Sequence, residues 1–229
     1  MAKFLTEYFY NKLYPGTKRI TEKKEQLAGI DIILPDGSKV DEKCMFYPIG
    51  QKSKNIRPYN TFAFECSFKR YTGKRITGWF LDKEKETEYY LLCWIHDCKV
   101  TSNPTKNDFL EVEIAMINRA ELQNELASHK LSLNKIQKDS EHIRNISRVT
   151  SILNKDELNG RFKTRRYCSD YHYYKNGKDY TDAYYVYSKQ LAEEPMNLIL
   201  SKELLLSLPS TKHWFVTPNY ISEVTSKAA

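Results

Sequence analysis

Hydrophobic and polar positions recur with two different periods along the chain, and these periods predict its first elements. Residues 2–14 carry apolar side chains at helical spacing, and a second, shorter helix is predicted over about 21–28. The stretch from Ile30 to Phe46 contains two β-rich runs separated by the Pro-Asp-Gly-Ser turn at 35–38. The chain therefore opens with two helices followed by a β-hairpin.

The rest of the chain alternates between strand-like and helix-like patterns. An apolar stripe that includes Leu122 and Leu126 predicts a helix starting near residue 118, and Asn176-Gly177 predicts a hairpin between two tyrosine-rich runs. Residues 138–166 are polar and indicate a broken helix or a loop. A short helix is predicted over 202–208. Further strands are predicted at about 61–68, 78–81, 87–95, 109–117, 195–200 and 213–216.

These elements predict an α/β (α+β) fold in which a mixed central β-sheet is flanked by helices. No linker is evident from the composition, so we expect a single domain over 1–229. Its core would span about 18–120, and residues from about 121 to 229 would elaborate that core.

The first hairpin carries the residues with the clearest chemical meaning. In a strand, alternate side chains share a face, so Asp41 and Lys43 lie together and Glu42 points the other way. The hairpin would also bring Asp31 close to Asp41. Two carboxylates repel each other unless a cation lies between them, and oxygen ligands of this kind suit Mg²⁺ or Mn²⁺. The lysine could polarise a phosphate or stabilise developing negative charge.

This arrangement resembles the PD-(D/E)xK nuclease superfamily, which has the restriction-endonuclease-like fold. Asp31 is followed across a hairpin by Asp41-Glu42-Lys43, and the run 26–31 (Gln-Leu-Ala-Gly-Ile-Asp) is similar to the helix-to-strand entry of some members. Ile30 stands where a proline often precedes the first acid. The resemblance, which covers roughly residues 18–95, implies a metal-dependent nuclease with Mg²⁺ (or Mn²⁺) as cofactor, and DNA rather than RNA is the expected substrate.

A further acid lies on the strand predicted at 61–68. Glu65 projects from the face opposite the aromatic side chains, and it would join the site if this strand lay beside the Asp41 strand. The catalytic candidates are Asp31, Asp41, Lys43 and Glu65, and the metal-ligand candidates are Asp31, Asp41, Glu42 and Glu65. The simpler alternative for the first hairpin is an edge hairpin whose charged outer face keeps it soluble. The simpler alternative for Glu65 is a surface glutamate.

Positive charge is the second indication of a nucleic-acid partner. The formal net charge is +7, and basic residues group together with aromatic residues such as Tyr71 nearby, a mixture that suits phosphate contacts and base stacking. Lysine and arginine also serve simply to solvate loops. The nucleic-acid-binding candidates are Lys52, Lys54, Arg57, Arg70, Lys74, Arg75, Arg165 and Arg166.

The sequence also argues against several function classes. No apolar run is long enough for a membrane span, and the first residues lack a secretory signal pattern, so we expect a soluble, cytoplasmic protein with no membrane partner. Neither zinc-type cysteine spacing nor a glycine-rich phosphate loop occurs. Two alternatives stay open: a non-catalytic module that binds nucleic acid or protein, and an assembly role for the tyrosine-rich ribbon. A homodimer would allow both strands of a duplex to be cut.

Overall fold

The chain forms two compact units. The structure is a computed structural model, and it describes residues 1–45, 59–99, 103–149, 165–168, 172–175, 178–188 and 191–224. The first unit comprises Met1–Asn60, Glu84–Leu122 and Leu205–Ala229, and the second comprises Thr61–Lys83 and Gln123–Leu204. Each unit contains its own sheet.

The described residues form helical segments of 3 to 17 residues and fourteen strands. The helical segments are α1 (Ala2–Leu5), a π-helical turn (Thr6–Tyr10), α2 (Asn11–Leu13), α3 (Lys23–Leu27), a 3₁₀ turn (Lys106–Asp108), α4 (Arg119–Ser128), α5 (Leu133–Val149) and α6 (Lys202–Ser207). The strands are β1 (Lys18–Arg19), β2 (Ile32–Ile33), β3 (Lys39–Met45), β4 (Thr61–Lys69), β5 (Arg75–Thr77), β6 (Tyr89–Cys98), β7 (Phe109–Asn118), β8 (Arg165–Cys168), β9 (His172–Lys175), β10 (Lys178–Thr181), β11 (Ala183–Tyr187), β12 (Met196–Ser201), β13 (Lys212–Val216) and β14 (Ile221–Glu223).

The first unit is built on a seven-stranded mixed sheet in the order β1-β2-β3-β6-β7-β13-β14. Among its described strands, β3 and β6 are parallel, and the other neighbouring pairs are antiparallel. The parallel register sets Asp41 opposite Tyr90 and Cys44 opposite Cys93. The predicted α/β class with a mixed sheet flanked by helices is confirmed.

One face of this sheet is covered by the N-terminal helical segment. Phe4, Leu5 and Phe9 are fully buried in a cluster with Val40 of β3 and Trp214 of β13. The rings of Phe9 and Trp214 meet edge to face, with centroids 5.1 Å apart. Burial of each such side chain contributes about 1.5–3 kcal/mol. Because Val40 faces this core, the neighbouring Asp41 faces the other side of the sheet.

The second unit contains an antiparallel sheet in the order β5-β4-β12-β11-β8 and a separate β9–β10 hairpin. Helix α5 packs against β4 and β11. Its Arg144 is buried and donates hydrogen bonds to the carbonyl oxygens of Ser67 (2.9 Å) and Glu194 (2.7 Å). These bonds tie the helix to the sheet.

Each unit is assembled from segments that are far apart in the sequence. Thr61–Lys83 groups with the later segment because β4 pairs with β12. Helix α5 also continues to Val149, through part of the region predicted as a broken helix or loop. Among the described residues, no helix combines the length and apolar character needed to cross a membrane.

The strand predicted at 78–81 is wrong. These residues form a turn that follows the short strand β5, and Gly78 lies against the neighbouring backbone. A Cβ atom at Gly78 would stand 2.3 Å from the carbonyl oxygen of Glu65. Gly78 therefore lies close to the backbone of β4, and residues 78–81 form a turn where a strand was predicted.

Candidate functional site

The β2–β3 hairpin brings Asp31 and Asp41 together. Gly29 ends the preceding helix with a φ of +78°, a conformation that glycine adopts at little cost. The N–H of Asp31 donates to the carbonyl oxygen of Val40 (2.9 Å), and its Oδ2 accepts a hydrogen bond from the N–H of Glu42 (2.9 Å). The first acid is thus fixed against the strand that carries the second.

Asp41 is a buried acid paired with a lysine. Asp41 is 3% exposed, and its Oδ1 lies 2.5 Å from Nζ of Lys43. Burial raises the pKa of Asp41 to about 7, Lys43 opposes this shift, and the nearby Asp31 carboxylate adds to it. We call Asp31, Asp41 and Lys43 the acid–lysine site.

The sequence reasoning missed Tyr90, which adjoins Asp41, and Arg119, which lies beside Tyr90. Tyr90 lies opposite Asp41 on β6, and burial raises the pKa of the Tyr90 phenol, an effect that the Arg119 guanidinium opposes and Asp41 reinforces. Arg119 is held in place by hydrogen bonds from its Nη1 to the carbonyl oxygens of Lys85 (2.6 Å) and Thr87 (3.3 Å). A phenol therefore lies beside the buried acid, and a guanidinium lies beside that phenol.

Glu42, a metal-ligand candidate from the sequence, lies on the opposite face of β3. Its carboxylate accepts two hydrogen bonds from the guanidinium of Arg19, at 2.8 and 2.9 Å. It also contributes, after burial, to the raised pKa of Tyr10. The structure does not bring Glu42 to Asp41, because adjacent strand residues point to opposite faces.

Glu65, the fourth candidate, belongs to the sheet of the second unit. Its strand β4 pairs with β5 and β12, whereas the Asp41 strand pairs with β2 and β6. The adjacency that would have brought Glu65 to the site is therefore not found. Within the described residues, no group of three or more histidine, cysteine, aspartate or glutamate side chains is arranged to hold a metal ion.

The basic candidates fall into three groups. Arg70, Lys74 and Arg75 are exposed on the β4–β5 hairpin. Arg165 and Arg166 lie on β8, which pairs with β11. The remaining candidates, Lys52, Lys54 and Arg57, lie outside the described residues.

A second polar cluster joins three neighbouring strands of the first unit. Glu113 is 3% exposed. Its carboxylate contacts Nε2 of His96 at 2.5 Å and Nε2 of His213 at 2.9 Å. These histidines are far apart in sequence and meet because β7 lies between β6 and β13. The cluster satisfies a buried carboxylate that would otherwise be costly.

Comparisons with models of protein families, with curated proteins and with solved structures find no match to this chain.

Proposed function

We propose that this protein is a divalent-metal-dependent nuclease that hydrolyses phosphodiester bonds, with DNA as the expected substrate and RNA as the alternative. The observation that carries the proposal is the meeting of Asp31, Asp41 and Lys43 on one side of a hairpin, with Lys43 Nζ 2.5 Å from the buried Asp41. The sequence resemblance to the PD-(D/E)xK superfamily points to the same three residues.

The chemistry of the site fits Mg²⁺ or Mn²⁺. Mg²⁺ in proteins usually binds through one or two carboxylates, and waters and substrate phosphates supply its other ligands. Asp31 and Asp41 offer two carboxylates, and the raised pKa of Asp41 indicates a site in which negative charge lacks full compensation. A dication would favour the ionised acid. Glu42 and Glu65 are left out of this ligand set.

The roles of the chain's own residues follow from their charges. Hydrolysis adds water to phosphorus and breaks the bond to the leaving oxygen, so negative charge accumulates on the phosphate oxygens. The ammonium of Lys43 would stabilise that charge and orient the attacking water. Asp31 and Asp41 would hold the metal, which when bound supplies Lewis-acid polarisation of the phosphate and a more acidic water.

The test is cleavage by the purified protein of supercoiled plasmid, linear duplex, single-stranded DNA and RNA, with Mg²⁺ or Mn²⁺ and with excess chelator. We expect metal-dependent cutting that disappears in Asp41→Asn and Lys43→Ala. Asp36→Asn, in the exposed turn of the same hairpin, and Lys39→Ala, whose ammonium pairs with Glu86 at 2.5 Å, are matched controls that should retain activity.

Each result has a defined meaning. Cutting that survives both site variants would place the activity elsewhere and overturn the proposal. Absence of cutting on every substrate, with nucleic-acid binding retained, would favour the second candidate function, a non-catalytic binding module. The exposed basic residues of the β4–β5 hairpin support that candidate. Neither cutting nor binding would leave a protein-interaction role.

A further inference from the structure

The turn between β4 and β5 is tightly held by its own backbone. The N–H of Gly73 donates to the carbonyl oxygen of Arg70 (2.8 Å), and the N–H of Arg70 donates to the carbonyl oxygen of Lys74 (2.9 Å). Gly73 has a φ of +82°, which a three-residue hairpin loop requires at this position. The side chains at 71 and 72 are therefore presented from a fixed tip. We call residues 69–75 the basic hairpin.

Positive charge in the basic hairpin is concentrated in a way that costs stability. Lys69 and Arg75 lie directly opposite each other in the register, and like charges at such positions repel. The sequence contains no acid between Glu65 and Asp82. Glu194 pairs with Lys69 at 3.0 Å, while Arg70, Lys74 and Arg75 are exposed. An anionic ligand would relieve this repulsion.

A large aromatic side chain stands among these charges. Tyr71 is 100% exposed at the tip of the turn, with Arg70 and Lys74 at the two ends of the loop. A tyrosine normally covers part of its ring, so full exposure at the tip of a hydrogen-bonded turn is unusual. Aromatic rings flanked by cations are the arrangement used to stack on bases while contacting phosphates.

We propose that the basic hairpin binds single-stranded nucleic acid, with Tyr71 stacked on an unpaired base and with Arg70 and Lys74 in contact with the neighbouring phosphates. This inference rests on the proposed function for its class of ligand. It adds a specific contact surface and a preference for unpaired over paired bases.

A membrane surface is the less favoured partner for these residues. Membrane insertion depends on several apolar side chains together, whereas Tyr71 is followed at the tip by Thr72 and then by Gly73. A single ring is enough for stacking, since every base has a π-face.

The experiment measures binding of a fluorescein-labelled oligothymidine and of a duplex of the same length, in chelator, by the full chain carrying Lys43→Ala. Tyr71→Ala should weaken oligothymidine binding by roughly 5- to 150-fold and leave duplex binding within about twofold. Tyr71→Phe should bind as the parent does, because the ring is retained. Log affinity falls as log salt rises, and Arg70→Ala and Lys74→Ala should each make this fall less steep, by about 0.7 in the slope.

Tyr220→Ala is the matched control, because Tyr220 is 54% exposed in a turn of the first unit. Loss of binding in this variant equal to that in Tyr71→Ala would overturn the proposal. Unchanged oligothymidine binding by Tyr71→Ala, or a Tyr71 requirement seen only with phosphatidylserine vesicles, would overturn it as well. Tyr71-dependent binding without metal-dependent cleavage would refute the nuclease function and support this inference. Metal-dependent cleavage without Tyr71-dependent binding would support the nuclease function and refute this inference.

Discussion

Nζ of Lys43 and Oδ1 of Asp41 are 2.5 Å apart, yet the pKa of Asp41 is raised to about 7. The ion pair therefore offsets only part of the cost of burying the acid. In this respect the site differs from an ordinary surface salt bridge, in which the carboxylate keeps its charge with little effect on stability. The difference has measurable consequences.

The first consequence concerns stability against pH. Because the pKa of Asp41 in the folded protein exceeds its unfolded value, its favourable contribution is complete below about pH 4 and is lost as the pH rises through about 7. The full loss is of the order of 4 kcal/mol. Asp41→Asn should therefore be more stable than the parent at pH 8, by about 1–4 kcal/mol, and about equal to it at pH 4. Urea unfolding at several pH values checks this, and a constant difference would contradict it.

The second consequence concerns metal affinity, and it depends on the proposed function. Metal binding requires the ionised acid, so below pH 7 each binding event should release a proton from Asp41. We expect the apparent affinity for Mg²⁺ to rise about tenfold per pH unit up to about 7 and then to level off. Isothermal titration calorimetry of the protein and of Asp36→Asn should give the same profile. An affinity independent of pH would exclude Asp41 as a ligand.

A third prediction tests whether Glu42 has a structural role. Its side chain is 10% exposed and is paired in two places with Arg19, so removal of either partner leaves the other charge poorly solvated. Arg19→Met should cost about 2–4 kcal/mol, and Arg19→Met combined with Glu42→Leu should cost less than the sum of the single changes. Chemical denaturation of the four proteins completes the cycle. Glu42→Gln should leave Mg²⁺ affinity unchanged, and a large loss would restore Glu42 to the ligand set.

A fourth prediction uses two glycines of the second unit. A Cβ atom at Gly78 would meet backbone atoms of Glu65 and Cys66 at 2.3–2.8 Å, so Gly78→Ala should destabilise by about 3 kcal/mol or more. Gly73→Ala is the control, because its Cβ would meet nothing within 4 Å and only its φ of +82° is unfavourable. That change should cost about 1–2 kcal/mol. Thermal unfolding of both variants is the measurement, and equal losses would contradict the close approach at Gly78.

Features that depend on residues close together in the sequence could be predicted from it. The meeting of Asp31 with Asp41 depends on one tight hairpin, and the burial of Phe62 and Phe64 follows from the alternation within β4. The helix predicted over about 21–28 is likewise present as α3, which spans Lys23–Leu27.

Local patterns in the sequence do not show which distant strands pair with each other. Tyr90 reaches Asp41 only through the parallel register of β3 with β6, and no local pattern specifies that register. His96 and His213 meet at Glu113 for the same reason. Glu65 would join the site only if its strand lay beside the Asp41 strand, but β4 pairs with β12 instead. Predictions of contact between consecutive strands fail when a chain leaves one sheet for another.

The parallel pairing of β3 with β6 also bears on the order of folding. The β2–β3 hairpin needs only a short loop to close, whereas β6 follows the chain segments that make β4 and β5. We therefore expect amide protection in β2 and β3 to precede protection in β6 during pulse-labelled hydrogen exchange, and simultaneous protection would contradict this order. On this route the two acids are positioned while still hydrated, and Asp41 loses its water only when β6 docks. A newly made chain would thus pass through a stage with a solvated acid pair that titrates like ordinary surface carboxylates.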